Sequence, residues 1–203
     1  MVAAYKESGS RCLACSQDVS AAPPAFGPFT GEVTAGLLKD LDVPWTIIGH
    51  SERRDRGVAL ITEDRQLINA KLRSALANDL NVILCIGEAG DPDVGYVFQQ
   101  LQVCFVLRSI DIPQDKVVVA YEPSKSVGTD KPLLPEDVNT TIAYIKNHAP
   151  EKFGNSRFLY GGSVNHRTAS LYNRQPNIDG IMIGRIWQDD EFEETLASLT
   201  DTF

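Results

Sequence analysis

The sequence predicts an α/β fold built on a parallel sheet, and three observations carry that prediction. Short apolar runs recur at residues 12–16, 45–49, 82–86, 117–121, 158–160 and 180–183. A longer amphipathic stretch follows each run, so strand and helix alternate six times. The segments just after the runs are rich in glycine, hydroxyl and ionisable residues, and the opposite strand ends show no such enrichment. In a parallel sheet the carboxyl ends of the strands are where loops gather around a ligand.

Taken in order, the first run holds Cys12 and Cys15, and residues 21–28 (Ala-Ala-Pro-Pro-Ala-Phe-Gly-Pro) form a projecting loop before the next helix. The run at 45–49 ends in His50-Ser51-Glu52-Arg53-Arg54. Thr62 opens a helix with Glu63 and Asp64 in its first turn, and Ile68, Leu72, Ala75 and Leu76 line one face. The run at 82–86 closes on Gly87-Glu88, and a less regular helix covers 94–108. Val117 to Tyr121 are apolar throughout, Glu122 follows, and Pro123 stops the ladder. Pro135-Glu136-Asp137 starts a helix carrying Val138, Ile142 and Ile145. The run at 158–160 leads to Gly161-Gly162-Ser163, with helix resuming near Arg167. Gly184-Arg185 follows the last run, and a final helix is expected over 190–199. No stretch resembles an interdomain linker, which predicts one domain over residues 1–203.

Bulk properties narrow the partners. A chain of 203 residues buries a full core without staples. A formal charge of −8, with no basic run, argues against nucleic acid and against a membrane surface. Cys12-Leu13-Ala14-Cys15 reads either as a redox pair, as half a zinc site, or as small core residues in a strand. No second Cys-x-x-Cys follows, and His50, His148 and His166 are scattered, so the core role is expected and no metal. Free thiols and no signal-like apolar segment lead to a cytoplasmic expectation.

Glu122 is the residue of greatest chemical interest. A carboxylate among apolar neighbours at a strand's carboxyl end has the makings of a general base, the bland alternative being a strand-end glutamate facing water. His50 lies at the same sheet end, where catalysis competes with an ordinary structural role. Gly161-Gly162-Ser163 offers main-chain N–H groups and a hydroxyl to an oxyanion, as do Gly128-Thr129 and Gly184. Arg185 is either a phosphate clamp or a surface arginine. Together the set points to proton transfer on a phosphorylated sugar: a base removes a proton beside a carbonyl, and a donor stabilises the enediolate oxygen.

These segments resemble the triosephosphate isomerase family. Ile47-Ile48-Gly49-His50-Ser51-Glu52-Arg53-Arg54 is similar to its histidine-bearing strand and loop, and residues 82–88 to the strand that follows. Ala120-Tyr121-Glu122-Pro123 matches the catalytic glutamate and loop hinge, and Tyr160-Gly161-Gly162-Ser163-Val164 the phosphate loop. The family's mechanism is itself a standard worked case. The resemblance implies a (β/α)8 barrel, Glu122 and His50 as catalytic residues, and no cofactor. It implies phosphate contacts at Gly128, Ser163, Gly184 and Arg185, with Glu52, Glu88, Tyr160, Gly161 and Gly162 in support. It further implies a homodimer contacting through Thr30, Glu32 and Arg53, with a Glu32–Arg53 pair, and a phosphorylated three- or four-carbon sugar as substrate.

The chain also departs from the family pattern. The first strand–helix unit and second strand have no counterpart, leaving about six β/α units, and Lys6 looks like part of the second helix rather than the family's substrate-binding lysine. In the closing loop Pro123-Ser124-Lys125 stands where Pro-Val-Trp is usual, which predicts a Lys125–Glu88 pair, and Asp130 replaces a glycine. Gly184-Arg185 replaces Gly-Gly and resembles isomerases of phosphorylated four-carbon ketoses. A tetrulose-phosphate isomerase and a noncatalytic binder of phosphorylated metabolites are therefore the alternatives.

Overall fold

The computed structural model describes residues 12–23, 27–54, 63–88, 90, 93–106, 113, 115–149, 153, 156–165 and 167–184. Six strands form one sheet: β1 (Cys15–Ser16), β2 (Trp45–Ile48), β3 (Asn81–Ile86), β4 (Val117–Tyr121), β5 (Phe158–Gly161) and β6 (Gly180–Met182). Each pairs in parallel with the next, in the order β1 to β6. A doubly wound sheet reverses its strand order at a switch point, and this sheet does not. Crossovers between successive neighbours follow one hand as a rule, which puts the long connecting helices on one face and lets the twisted sheet curl away from them. The architecture is thus a curled half-barrel, an incomplete TIM-type α/β barrel.

Between the strands run α1 (Ala35–Asp40), α2 (Ser51–Arg54), α3 (Arg65–Ala77), α4 (Val94–Val106), α5 (Pro135–His148) and α6 (Ala169–Asn173). Ile68, Leu72 and Ala75 of α3 and Val138, Ile142 and Ile145 of α5 join Val82, Leu84, Val117 and Val119 in one buried cluster. All five residues of β4 are buried, as expected for a central strand covered on both faces. Pro135 occupies the first turn of α5 with Glu136 and Asp137, and Lys146 and His148 the last, in keeping with the helix dipole.

At the amino end of the sheet, Asp42, Asp79 and Asp115 each adopt positive φ two or three residues before a strand. Aspartate tolerates this left-handed geometry better than most residues. Those connections are tight reversals, which leaves the longer loops at the carboxyl end free for chemistry.

Two expectations need correction here. The helix read from Thr62 starts at Arg65, where the Asp64 carboxylate accepts the Leu67 N–H at 2.8 Å as N-cap. Glu63 stays outside the helix, 4% exposed, and accepts from Lys71 Nζ and from Arg53 Nε at 2.7 Å. It is an ion-pair residue rather than a dipole residue. Secondly, Cys12 and Cys15 are exposed, and only Cys85 is a buried thiol among the described cysteine side chains. The reason is that β1 pairs only with β2 among the described strands, so little packs over it. Lys6, Thr62, Arg185, His166 and the helix expected over 190–199 lie outside the described residues. Among the described residues no helix is long and apolar enough to cross a membrane.

Candidate active site

Glu122 prolongs β4 by one bond, its N–H donating to Ile86 O at 2.7 Å, before Pro123 ends the pairing. The side chain is buried (1% exposed). Oε2 accepts the Ser51 N–H at 3.0 Å, and Oε1 lies 3.2 Å from His50 Nε2. His50 Nδ1 accepts the Glu52 N–H at 3.2 Å, so that nitrogen carries a lone pair and the proton sits on Nε2. With Nδ1 so engaged, Nε2 is left to donate to the carboxylate. The ring keeps a side-chain exposure of 28%, enough for a ligand to reach it.

Burial pushes the Glu122 carboxyl above the ordinary glutamate range. The adjacent His50, then Arg54, the Ser51 N–H and the Cys85 thiol draw it partway back. Desolvation dominates, so the group is a stronger base than an exposed glutamate.

The sequence reading did not assign a role to Arg54, which is buried at the centre of the site. Its Nε donates to Gly49 O and one terminal nitrogen to Gly87 O, both at 2.6 Å, while the other reaches Glu122 O at 3.5 Å. One guanidinium thus links the carboxyl ends of β2, β3 and β4. The signal was its position one helical turn beyond His50. Gln100 of α4 was also missed. Its amide accepts from Gly87 N–H at 2.8 Å and donates to Gly87 O at 3.0 Å. A glutamine in line with buried Val97 and Leu101 is a sequence signal, because a polar group on a core stripe needs partners.

The glycines make room for protein as well as for ligand. A Cβ on Gly161 would sit 2.8 Å from Glu122 Cγ, and one on Gly162 2.3 Å from the Tyr160 hydroxyl. Gly128 has φ of +66°, and Gly184 is exposed with open space around it. Residues 123–131 lie down on the turn after β5. Ser163 Oγ accepts the Thr129 and Asp130 N–H groups at 3.2 and 3.0 Å and donates to Ser126 O at 2.6 Å. The Tyr160 hydroxyl accepts the Leu133 N–H at 3.1 Å.

The predicted Lys125–Glu88 pair is not formed. Glu88 is 3% exposed, its Oε1 accepts the Tyr121 hydroxyl at 2.8 Å, and its Oε2 has no hydrogen-bond partner. Burial raises this carboxyl, with the Tyr121 bond pulling the other way. Lys125 is exposed, since hydrating an ammonium on a loop costs less than burying it. The Glu32–Arg53 pair is also replaced. Arg53 bonds Glu63 and lies 3.4 Å from Asp18, and Glu32 acts on it only through space. Thr30, Gly31 and Glu32 are exposed, with a turn at Thr30-Gly31.

The structure therefore brings together Glu122, His50, the Glu52 main chain, Gly161 and the Ser163–Tyr160 turn. The family model for triosephosphate isomerase matches residues 1–199. The chain belongs to the triosephosphate isomerase family. It is similar to the triosephosphate isomerase of Debaryomyces hansenii, 37% identical over 185 residues, covering 86% of this chain and 71% of that protein. The Aquifex aeolicus enzyme of that name is 33% identical over 172 residues, covering 81% and 68%. That of Candida albicans is 37% identical over 183 residues, covering 85% and 71%. Family membership thus spans β1 to β6 and every described residue of the site.

Proposed function

We propose that the chain is an isomerase that interconverts glyceraldehyde 3-phosphate and dihydroxyacetone phosphate through an enediolate. The observation that carries this reading is the pair formed by a buried, basicity-raised Glu122 and His50, whose Nε2 lies 3.2 Å from its carboxylate. An incoming carbonyl oxygen takes over the Nε2–H that Glu122 now holds. The freed carboxylate then removes the proton from the neighbouring carbon and returns it to the other one. His50 stabilises the developing oxyanion as a hydrogen-bond donor that needs no reorganisation.

The phosphate is assigned to main-chain N–H groups at Gly128, Ser163 and Gly184. The Ser163 hydroxyl is already committed to the loop, which leaves its N–H for the ligand. Residues 123–131 act as the closing loop that excludes water and protects the enediolate. The exposed turn carrying Thr30 and Glu32 is assigned to contact with a second copy of the chain, giving a homodimer.

Purified protein is expected to interconvert the two triose phosphates. Glu122→Asp, which withdraws the carboxylate by about one bond, is expected to lower turnover by about 10²-fold. A wild-type protein that binds a triose phosphate in calorimetry yet never isomerises it removes the assignment in favour of a noncatalytic binder. Preference for a four-carbon ketose phosphate in competition kinetics redirects it to the tetrulose substrate.

A further inference from the structure

Ser126 stands apart from the rest of the loop at residues 123–131. Its neighbour Lys125 and residues 128–130 are exposed, whereas Ser126 is fully buried (0%). Its hydroxyl donates to Pro123 O at 3.1 Å and accepts the Tyr160 O–H at 3.2 Å. The same Tyr160 oxygen accepts the Leu133 N–H. One phenol therefore holds both ends of the loop, the carboxyl-terminal end through Leu133 and the amino-terminal end through Ser126. Tyr160 is itself 0% exposed, so water cannot replace Ser126 as the acceptor of its proton. Gly162 clears the junction: a Cβ there would meet the Tyr160 hydroxyl at 2.3 Å and Ser126 Oγ at 2.9 Å.

We infer that Ser126 is a positioning residue that latches the amino-terminal hinge of the loop to Tyr160. The inference rests on the reading of residues 123–131 as a closing loop. Opening the loop separates Ser126 from Tyr160, so their bond stabilises only the closed state. Removing it shifts the closed–open equilibrium by the differential worth of that bond. Ser126 touches no substrate. It acts through the time for which the loop stays down.

The test is amide hydrogen exchange on the full chain, comparing wild type, Ser126→Ala, Tyr160→Phe and the double variant. Ser126→Ala is expected to speed exchange across residues 124–133 by about three- to tenfold, the net effect of one hydrogen bond, with β4 and α5 unchanged. Because the Ser126–Tyr160 bond can be lost only once, the double variant is expected to exchange more slowly than the product of the two single effects. Tryptic cleavage after Lys125, which needs an open loop, is expected to rise in parallel and serves if the Tyr160 variants fold poorly. Unchanged exchange and cleavage in Ser126→Ala overturn the latch. Effects that multiply in the double variant overturn it too, since Ser126 then serves only to brace Pro123 O. Loop exchange that responds as expected, in a wild type without isomerase turnover, leaves the latch standing and removes the proposed function instead.

Discussion

Gly87→Ala tests how closely β3 and β4 approach beside the catalytic carboxylate. A Cβ at Gly87 would lie 2.0 Å from Glu122 O, 2.5 Å from its carbonyl carbon and 3.1 Å from Pro123 N, all main-chain atoms. To reach ordinary van der Waals contact, the end of β4 must retreat by roughly 1.4 Å. Gly87 cannot yield instead, because Gln100 holds both its polar main-chain groups and Arg54 holds its carbonyl. Overpacking of a flexible core costs about 1–3 kcal/mol, and backbone on both sides places this variant at the upper end, about 3 kcal/mol. For a chain of this size that lowers Tm by about 6–12 °C. A displacement of more than 1 Å at the base is also expected to cost at least about 10²-fold in kcat/KM. Thermal denaturation and triose phosphate kinetics measure the two effects, with Gly90→Ala as control, since nothing lies within 4 Å of a Cβ there. A Gly87→Ala protein matching the control in both Tm and kcat/KM would refute the close-approach argument.

Three further outcomes follow from the electrostatics. Glu122 works as a base only when ionised and its carboxyl is raised by burial, so kcat/KM is expected to fall with acid at a pH above the ordinary glutamate range; a profile flat down to about pH 4 contradicts this. Tyr121→Phe strips buried Glu88 of its hydroxyl donor and is expected to cost about 1.5–3 kcal/mol at neutral pH by urea denaturation. Because the Glu88 carboxyl is raised in the fold, the deficit should shrink as pH falls through that raised value and the group becomes neutral. Lys71→Met removes a buried ammonium that holds both Asp18, at 2.7 Å, and Glu63. It leaves Glu63 with Arg53 alone, and a loss of about 3 kcal/mol is expected in the same assay; a loss below about 1 kcal/mol would mean that Arg53 suffices.

The order and type of the elements were legible in the sequence because each is a local pattern. A five-residue run such as that of β4, four aliphatic residues and a tyrosine, gains little from facing water, and Pro135 with two acids opens α5 at its expected place. Glu122 and His50 were legible as strand-end residues for the same reason. The start of α3 was misread because Thr62, Glu63 and Asp64 all suit a helix start, and it is the Asp64 cap on Leu67 and the ion pairs of Glu63 that set it at Arg65. The Lys125–Glu88 pair failed since a chain position says nothing of which side of a loop meets water.

Local pattern alone determined the six strands, the alternation of helices between them and the sheet end that bears the chemistry. Tertiary structure alone decided that Arg54, Gln100 and Gly87 brace the strand end bearing the base, that Ser126 meets Tyr160, and that Cys12 and Cys15 are exposed. Periodicity along a chain encodes which face of an element is apolar, and short-range sterics enforce it. Contacts such as Ser51 to Glu122, 71 residues apart, arise only when the curled sheet brings separate strand ends within bonding distance.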